Sequence, residues 1–185
     1  MKNALVPLAE GVEEMEAVII IDVLRRAGWR VVSAAIRPPG AAGGPLRASR
    51  GVYLAADVEW TNVRGEDFDA LVIPGGAGGV QVLCRDGRVP EEVRRFAQAG
   101  KWVAAICAGP LVLQAAGILK GVRATCHPNC RPDFRDPQVS GDRVVVDGRI
   151  VTSQGPGTAF EFALTLIHLL DSAAAAGKVR EGLVL

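Results

Sequence analysis

The chain has 185 residues, a net charge of +1, 49% hydrophobic and 22% charged residues, and only 5% aromatics. That is enough chain for one domain with a core built mostly of Ala, Val, Leu and Ile, and residues 1–185 read as a single domain. The charge balance argues against a broad field for nucleic acid or acidic membranes. No apolar run approaches the roughly 18 residues that suggest a membrane span. The first apolar stretch stops at Glu10, too short for a secretion signal, so a cytoplasmic location is the expectation.

Residues 4–8 read as a buried strand, and Glu10-Gly11 as a turn. The spacing from about residue 13 to 27 predicts a helix, with Val18, Ile21 and Leu24 (or Val23) on its apolar stripe and Gly28 at its stop. Residues 29–35 form the next expected strand, residues 37–45 a surface loop, and residues 52–56 another strand. Residues 70–73 are a clear buried strand, and residues 90–99 a helix closed by Gly100. Residues 102–106 are again strand, followed by a helix over 109–116. A short strand at 123–126 precedes His127-Pro128, and residues 144–151 read as a hairpin around Asp147-Gly148. Residues 158–170 form an amphipathic helix, and 172–180 a short last one. Strands apolar on both faces, alternating with helices, predict an α/β fold: a mostly parallel sheet covered by helices on both faces, the hairpin near one edge.

Five segments could carry chemistry. In Ala105-Ile-Cys-Ala-Gly-Pro110 a buried strand runs straight into Cys107, and small residues and a helix follow. This is the pattern of a nucleophile elbow, where a tight bend exposes the side chain at the carboxyl end of a sheet. The helix N-terminus there is expected to lower the thiol pKa; the alternative is a buried structural cysteine. Pro74-Gly-Gly-Ala-Gly-Gly79 offers backbone N–H groups to a ligand or oxyanion, or is simply a flexible turn. It lacks the residues of a phosphate loop. Glu13-Glu14-Met15-Glu16 starts a helix next to a strand end. One of these acids could face the cysteine; all could be ordinary dipole partners. Cys126-His-Pro-Asn-Cys130 has metal-capable residues but only three ligands and a proline, so His127 could instead orient or exchange protons beside Cys107. Alternation along an extended segment turns Cys126 away from whatever His127 faces. The last, Thr152-Ser-Gln-Gly-Pro-Gly-Thr158, reads as a turn with Thr158 as a helix cap.

The stretches ALVPLAEGVEEMEAV, IDVLRRAG, SRGV, VIPGG, AAICAGP, CHP and TSQGPGTAFEFAL, in this order, resemble the ThiJ/PfpI superfamily, and within it the DJ-one subfamily that takes in protein deglycases and YajL-like proteins. The resemblance implies a flavodoxin-like sandwich and a homodimer built on the first helix. It implies Cys107 as the reactive cysteine, Glu16 as its carboxyl partner and His127 as the histidine beside them. Gly75, Gly76 and Ala108 are implied as the backbone groups around an oxyanion, and Arg26, Arg50, Gly155 and Pro156 as pocket residues, Arg26 reaching across the dimer. No cofactor and no metal are implied. Two departures stand out: Ala55 replaces a second oxidation-prone cysteine, and Cys126 replaces a usual Thr while Cys130 adds a thiol, so that a resolving disulfide with Cys107 is conceivable.

The implied activity is glyoxalase III-type or deglycase-type chemistry on α-oxoaldehydes such as methylglyoxal or glyoxal, or on their early protein adducts. A redox sensor or chaperone that oxidises the same cysteine is the alternative. A cysteine peptidase ranks third, because Ala108 stands where such enzymes usually place a histidine.

Overall fold

The computed structural model describes residues 1–185 except Pro39, Ala42, Asp136 and Pro137. The expected loop over residues 37–45 lies partly outside the described residues. In chain order the elements are β1 (Asn3–Leu8), α1 (Glu14–Arg26), β2 (Arg30–Ala35), β3 (Leu46–Arg47), β4 (Tyr53–Leu54), β5 (Val58–Glu59) and β6 (Ala70–Ile73). Then come α2 (Ala77–Arg85), α3 (Arg88–Gln98), β7 (Trp102–Ile106), α4 (Pro110–Ala115), β8 (Arg123–Ala124) and β9 (Gln138–Val139). The chain closes with β10 (Val144–Asp147), β11 (Ile150–Ser153), α5 (Ala159–Leu170) and α6 (Ala173–Gly182).

The central sheet runs β10-β11-β7-β6-β1-β2-β5. Every pair in it is parallel except the β10/β11 hairpin at one edge. Its strands bury both faces because their apolar residues alternate between two cores. Ala4, Val6 and Leu8 of β1 join Ala17, Ile20, Val23 and Leu24 of α1 and Phe162 of α5. Leu5 of the same strand joins Leu71, Val103, Val93, Phe96 and Leu113 on the other side. The side-chain period of two thus feeds α1, α5 and α6 on one face and α2, α3 and α4 on the other. Among the described residues, no helix is long and apolar enough to cross a membrane.

The structure corrects four expectations of local structure. Val18 is half exposed, and the buried stripe of α1 is Ala17, Ile20, Val23 and Leu24. The strand at 52–56 shrinks to β4, which pairs with β3 in a separate ribbon. A helix, α2, begins inside the glycine-rich segment, because Val80 and Leu83 are buried at helical spacing while the glycines hide the pattern. The edge strand β5 was too short to read from sequence.

The strand order sets the site. From β1 the chain proceeds to β2 and β5 in one direction, then returns to β6, β7 and β11 in the other. The crevice at that reversal lies outside the carboxyl ends of β1 and β6, with β7 alongside.

Candidate active site

Cys107 follows the last residue of β7 and has φ 63°, in the left-handed region. A non-glycine residue there stores about 1–3 kcal/mol, so its surroundings must hold it. They do. The Cys107 N–H donates to Ser153 O at 2.9 Å, extending the β7–β11 ladder by one bond, and the His127 N–H donates to Cys107 O at 3.0 Å. A Cβ on Gly109 would stand 2.8 Å from the carbonyl oxygens of both Ile106 and Ile73, so the bend needs glycine at that position. The expected elbow is present.

Glu16 is fully buried in the first turn of α1. Three bonds fix it. Glu13 caps the helix, accepting the Glu16 N–H on Oε2 at 2.7 Å. The Glu13 N–H donates to Gly75 O at 3.0 Å, and the Gly75 N–H donates to Glu16 Oε2 at 2.7 Å. Glu16 Oε1 is buried with no hydrogen-bond partner among the described residues. A Cβ on Gly75 would lie 2.6 Å from Cys107 Cβ and 2.7 Å from Glu16 Oε2, so only glycine lets carboxyl and thiol meet across β6.

Electrostatics follow from this packing. Burial raises the Glu16 carboxyl to about 7; the Gly75 N–H and the Cys107 thiol pull it down, and the charge of Glu13 adds to the rise. Burial, then the charge of Glu16 and its hydrogen bond, push the Cys107 thiol up to about 12, against the N–H groups of Gly76 and Ala108 that donate toward the sulfur. The expectation of a thiol pKa lowered by the helix N-terminus is therefore corrected. α4 is only six residues long, and two amides do not outweigh a desolvated sulfur beside a carboxylate. Carboxyl and thiol are therefore a coupled pair, in which a charge on Glu16 makes ionising Cys107 costlier.

The cleft above Cys107 measures about 780 Å³. Gly76, Ala108, His127, Arg50 and Pro156 line it, as do Arg47, Asn129 and Cys130. Gly155 packs beneath, where a Cβ would crowd His127 Cδ2 at 3.3 Å. Cys126 is buried and does not border the cleft, so it points away from the side that His127 faces. The His127 Nδ1 accepts the Asn129 N–H at 3.2 Å, which assigns the ring proton to Nε2; among the described residues its ring makes no bond to Cys107 or Glu16. Arg50 donates its own N–H to Glu14 Oε1 at 2.8 Å, which ties the loop at residues 49–52 to α1.

Gly75 lies in the site with a different partner from the one expected. The single N–H of Gly75 is committed to Glu16, so among the described residues Gly76 and Ala108 are the amides aimed at the sulfur. Arg26, expected to reach across a dimer, lies in its own chain ten residues beyond Glu16, about 15 Å along the helix axis. There it pairs with Asp22 at 2.5 Å and borders a separate hollow with Lys178. Thr158 stands at the N-cap position of α5 as expected, but its hydroxyl bonds to Gly155 and Ser153 Oγ and not to the helix. Sequence reasoning did not single out Glu13, although an acid three residues before the helical Glu16 is an N-cap signal.

The DJ-1/PfpI family model matches residues 2–169. The Parkinson disease protein 7 homolog of Danio rerio is 40% identical over 192 aligned residues, covering 100% of this chain and 97% of that protein. The glutathione-independent glyoxalase DJR-1.2 of Caenorhabditis elegans is 36% identical, covering 92% of this chain and 89% of that protein. Among solved structures, oxidized Toxoplasma gondii DJ-1 superposes with a TM-score of 0.93 at 39% identity, covering 100% of this chain and 98% of that one. Sheet order, elbow and relatives agree on a flavodoxin-like fold, and the chain belongs to the DJ-1/PfpI family.

Proposed function

We propose that the cleft is the active site of a cysteine-dependent, cofactor-independent enzyme that converts α-oxoaldehydes such as methylglyoxal or glyoxal to hydroxy acids. One observation carries this reading: a buried carboxyl raised to about 7 stands against a nucleophile whose sulfur faces two backbone donors. A relative of 36% identity bears the name of a glutathione-independent glyoxalase. As Cys107 Sγ adds to the aldehyde carbon, ionised Glu16 takes the thiol proton. The new alkoxide rests on the Gly76 and Ala108 N–H groups. Glu16 then gives its proton to the carbonyl side and carries the aldehyde C–H proton to the neighbouring carbon, leaving a thioester of the hydroxy acid. Water cleaves that thioester and restores the thiol. The sum is substrate plus one water, with no external oxidant. The same steps on an early protein–aldehyde adduct would be deglycase activity.

The test is steady-state loss of methylglyoxal without glutathione, with lactate as product. Wild type should turn over, Cys107→Ser should not, and Glu16→Gln should be slowed by about a hundredfold or more. Equal slow loss in wild type and Cys107→Ser would end the enzyme reading. A second reading, oxidation of Cys107 to a sulfinate as a stress signal, is favoured by the same two amides, which suit an S–O oxygen. Peroxide titration followed by intact mass tests it, and no oxygen gain at Cys107 counts against it.

We also propose a homodimer through α1. Met15 and Val18 are each at least half exposed on that helix, and Val52 and Tyr53 are exposed beside the loop that Glu14 ties to it. Sedimentation equilibrium should give twice the chain mass, and a monomer at micromolar concentration would refute the pairing. The four free thiols suit a reducing, cytoplasmic compartment.

A further inference from the structure

We propose that Cys130 is a resolving thiol for Cys107, and that under peroxide the two close an intramolecular disulfide across the cleft. This rests on the reading of Cys107 as a reactive thiol. Both side chains border the same cleft, whereas Cys84 and Cys126 do not. The backbone ties the two together. The His127 N–H donates to Cys107 O at 3.0 Å, and the Cys130 N–H donates to His127 O at 2.8 Å. Cys130 therefore stands one tight turn beyond a residue fastened to the elbow itself. It lies in the short 3-10 segment Pro128–Asp133, and it is half-buried against the apolar core around Ala124 and Leu113. The charge of Glu16 acts on both sulfurs, and that of Cys130 reaches Cys126 too, which makes Cys126 the rival partner that the test must separate.

The chemistry balances with a hydroperoxide as oxidant. The Cys107 sulfur attacks the O–O bond; an S–O bond forms, the O–O bond breaks, and the thiol proton passes through Glu16 to the departing oxygen. Sulfur is oxidised to the sulfenic acid, and the peroxide is reduced to water or an alcohol. Cys130 Sγ then attacks Cys107 Sγ; the S–S bond forms, the S–O bond breaks, and hydroxide leaves as water with the Cys130 proton. A dithiol reductant returns both thiols. The device would divert Cys107 from the irreversible sulfinate and shut off aldehyde chemistry reversibly, since the nucleophile is occupied.

The test treats the full chain with hydrogen peroxide, reads the intact mass, and then blocks the remaining free thiols for peptide maps. Wild type should become about 2 Da lighter, with Cys107 linked to Cys130 and both thiols restored by dithiothreitol. Cys130→Ser should instead gain about 32 Da at Cys107, unaffected by the reductant. Cys126→Ser should behave as wild type, which controls for folding and for a different partner. A wild type that accumulates sulfinate with no linked peptide, or whose link maps to Cys126, overturns the proposal. A Cys107 inert to peroxide overturns it as well, together with the reactive-thiol reading.

Discussion

The outer and inner flanks of the first turn of α1 carry the same residue type in opposite states. On the outer flank Glu14 is 7% exposed; its Oε2 accepts from Ser49 Oγ and its Oε1 from the Arg50 N–H, both at 2.8 Å. Burial pulls that carboxyl up, but these bonds and further backbone donors outweigh it and hold the group below the usual carboxylate range. On the inner flank Glu16 is fully buried, receives the Gly75 N–H, and keeps Oε1 unpartnered among the described residues. Burial prevails there and the carboxyl rises to about 7. Two acids two residues apart thus differ both in depth, Glu16 lying well inside and Glu14 just beneath the surface, and in the number of donors they meet. The satisfied one fastens a loop, and the unsatisfied one is free to exchange a proton.

Substitutions sharpen that contrast, and the largest effect should come from the group that Glu16 serves. Cys107→Ser should lower kcat/KM for methylglyoxal by at least about a thousandfold, read by steady-state kinetics. Glu16→Gln should cost about 10²–10⁴ in kcat and abolish the limb of the pH–rate profile that rises through about 7. The same change should stabilise the fold. The folded-state pKa is raised from 4.5 to about 7, so the native state binds this proton more tightly than the unfolded one, and stability falls as pH rises through that window. Removing the charge recovers up to about 3 kcal/mol at pH 8 and nothing at pH 4. Urea denaturation at both values measures it, and a Glu16→Gln protein less stable at pH 8 would break the contrast.

Gly75→Ala should cost about 1–3 kcal/mol and most of the activity, because the new methyl would overlap Cys107 and Glu16; thermal melting and kinetics check it. The smallest change is expected on the outer flank. Ser49→Ala removes one donor from Glu14 and should cost about 1 kcal/mol, leaving the pH midpoint of activity unmoved.

Features written in neighbouring residues were legible in the sequence. The strand runs, the elbow at Cys107 and the alternation of Cys126 with His127 each depend on a few adjacent side chains, and the structure holds them. What failed to show needed long-range information. Nothing near Glu14 or Glu16 says that residues 49–52 supply donors to one and Gly75 to the other. The short helix after Cys107 suggested a lowered thiol, but burial of the sulfur, joined by a carboxylate 91 positions earlier in the chain, reverses the sign. Arg26 stands at the far end of α1 from its own chain's cleft, so its expected place across a dimer depends on a partner subunit and not on this chain's fold. α2 was hidden because its first turn is glycine-rich, and only the packing of Val80 and Leu83 reveals it.

The proton on Glu16 can be followed directly by carbon-13 NMR of its labelled side-chain carboxyl across pH 3 to 9, with Glu16→Gln assigning the signal. A midpoint near 7 is the expected result. A midpoint close to the ordinary 4.5 would mean that this carboxyl is already satisfied, and would contradict its role as the base for Cys107.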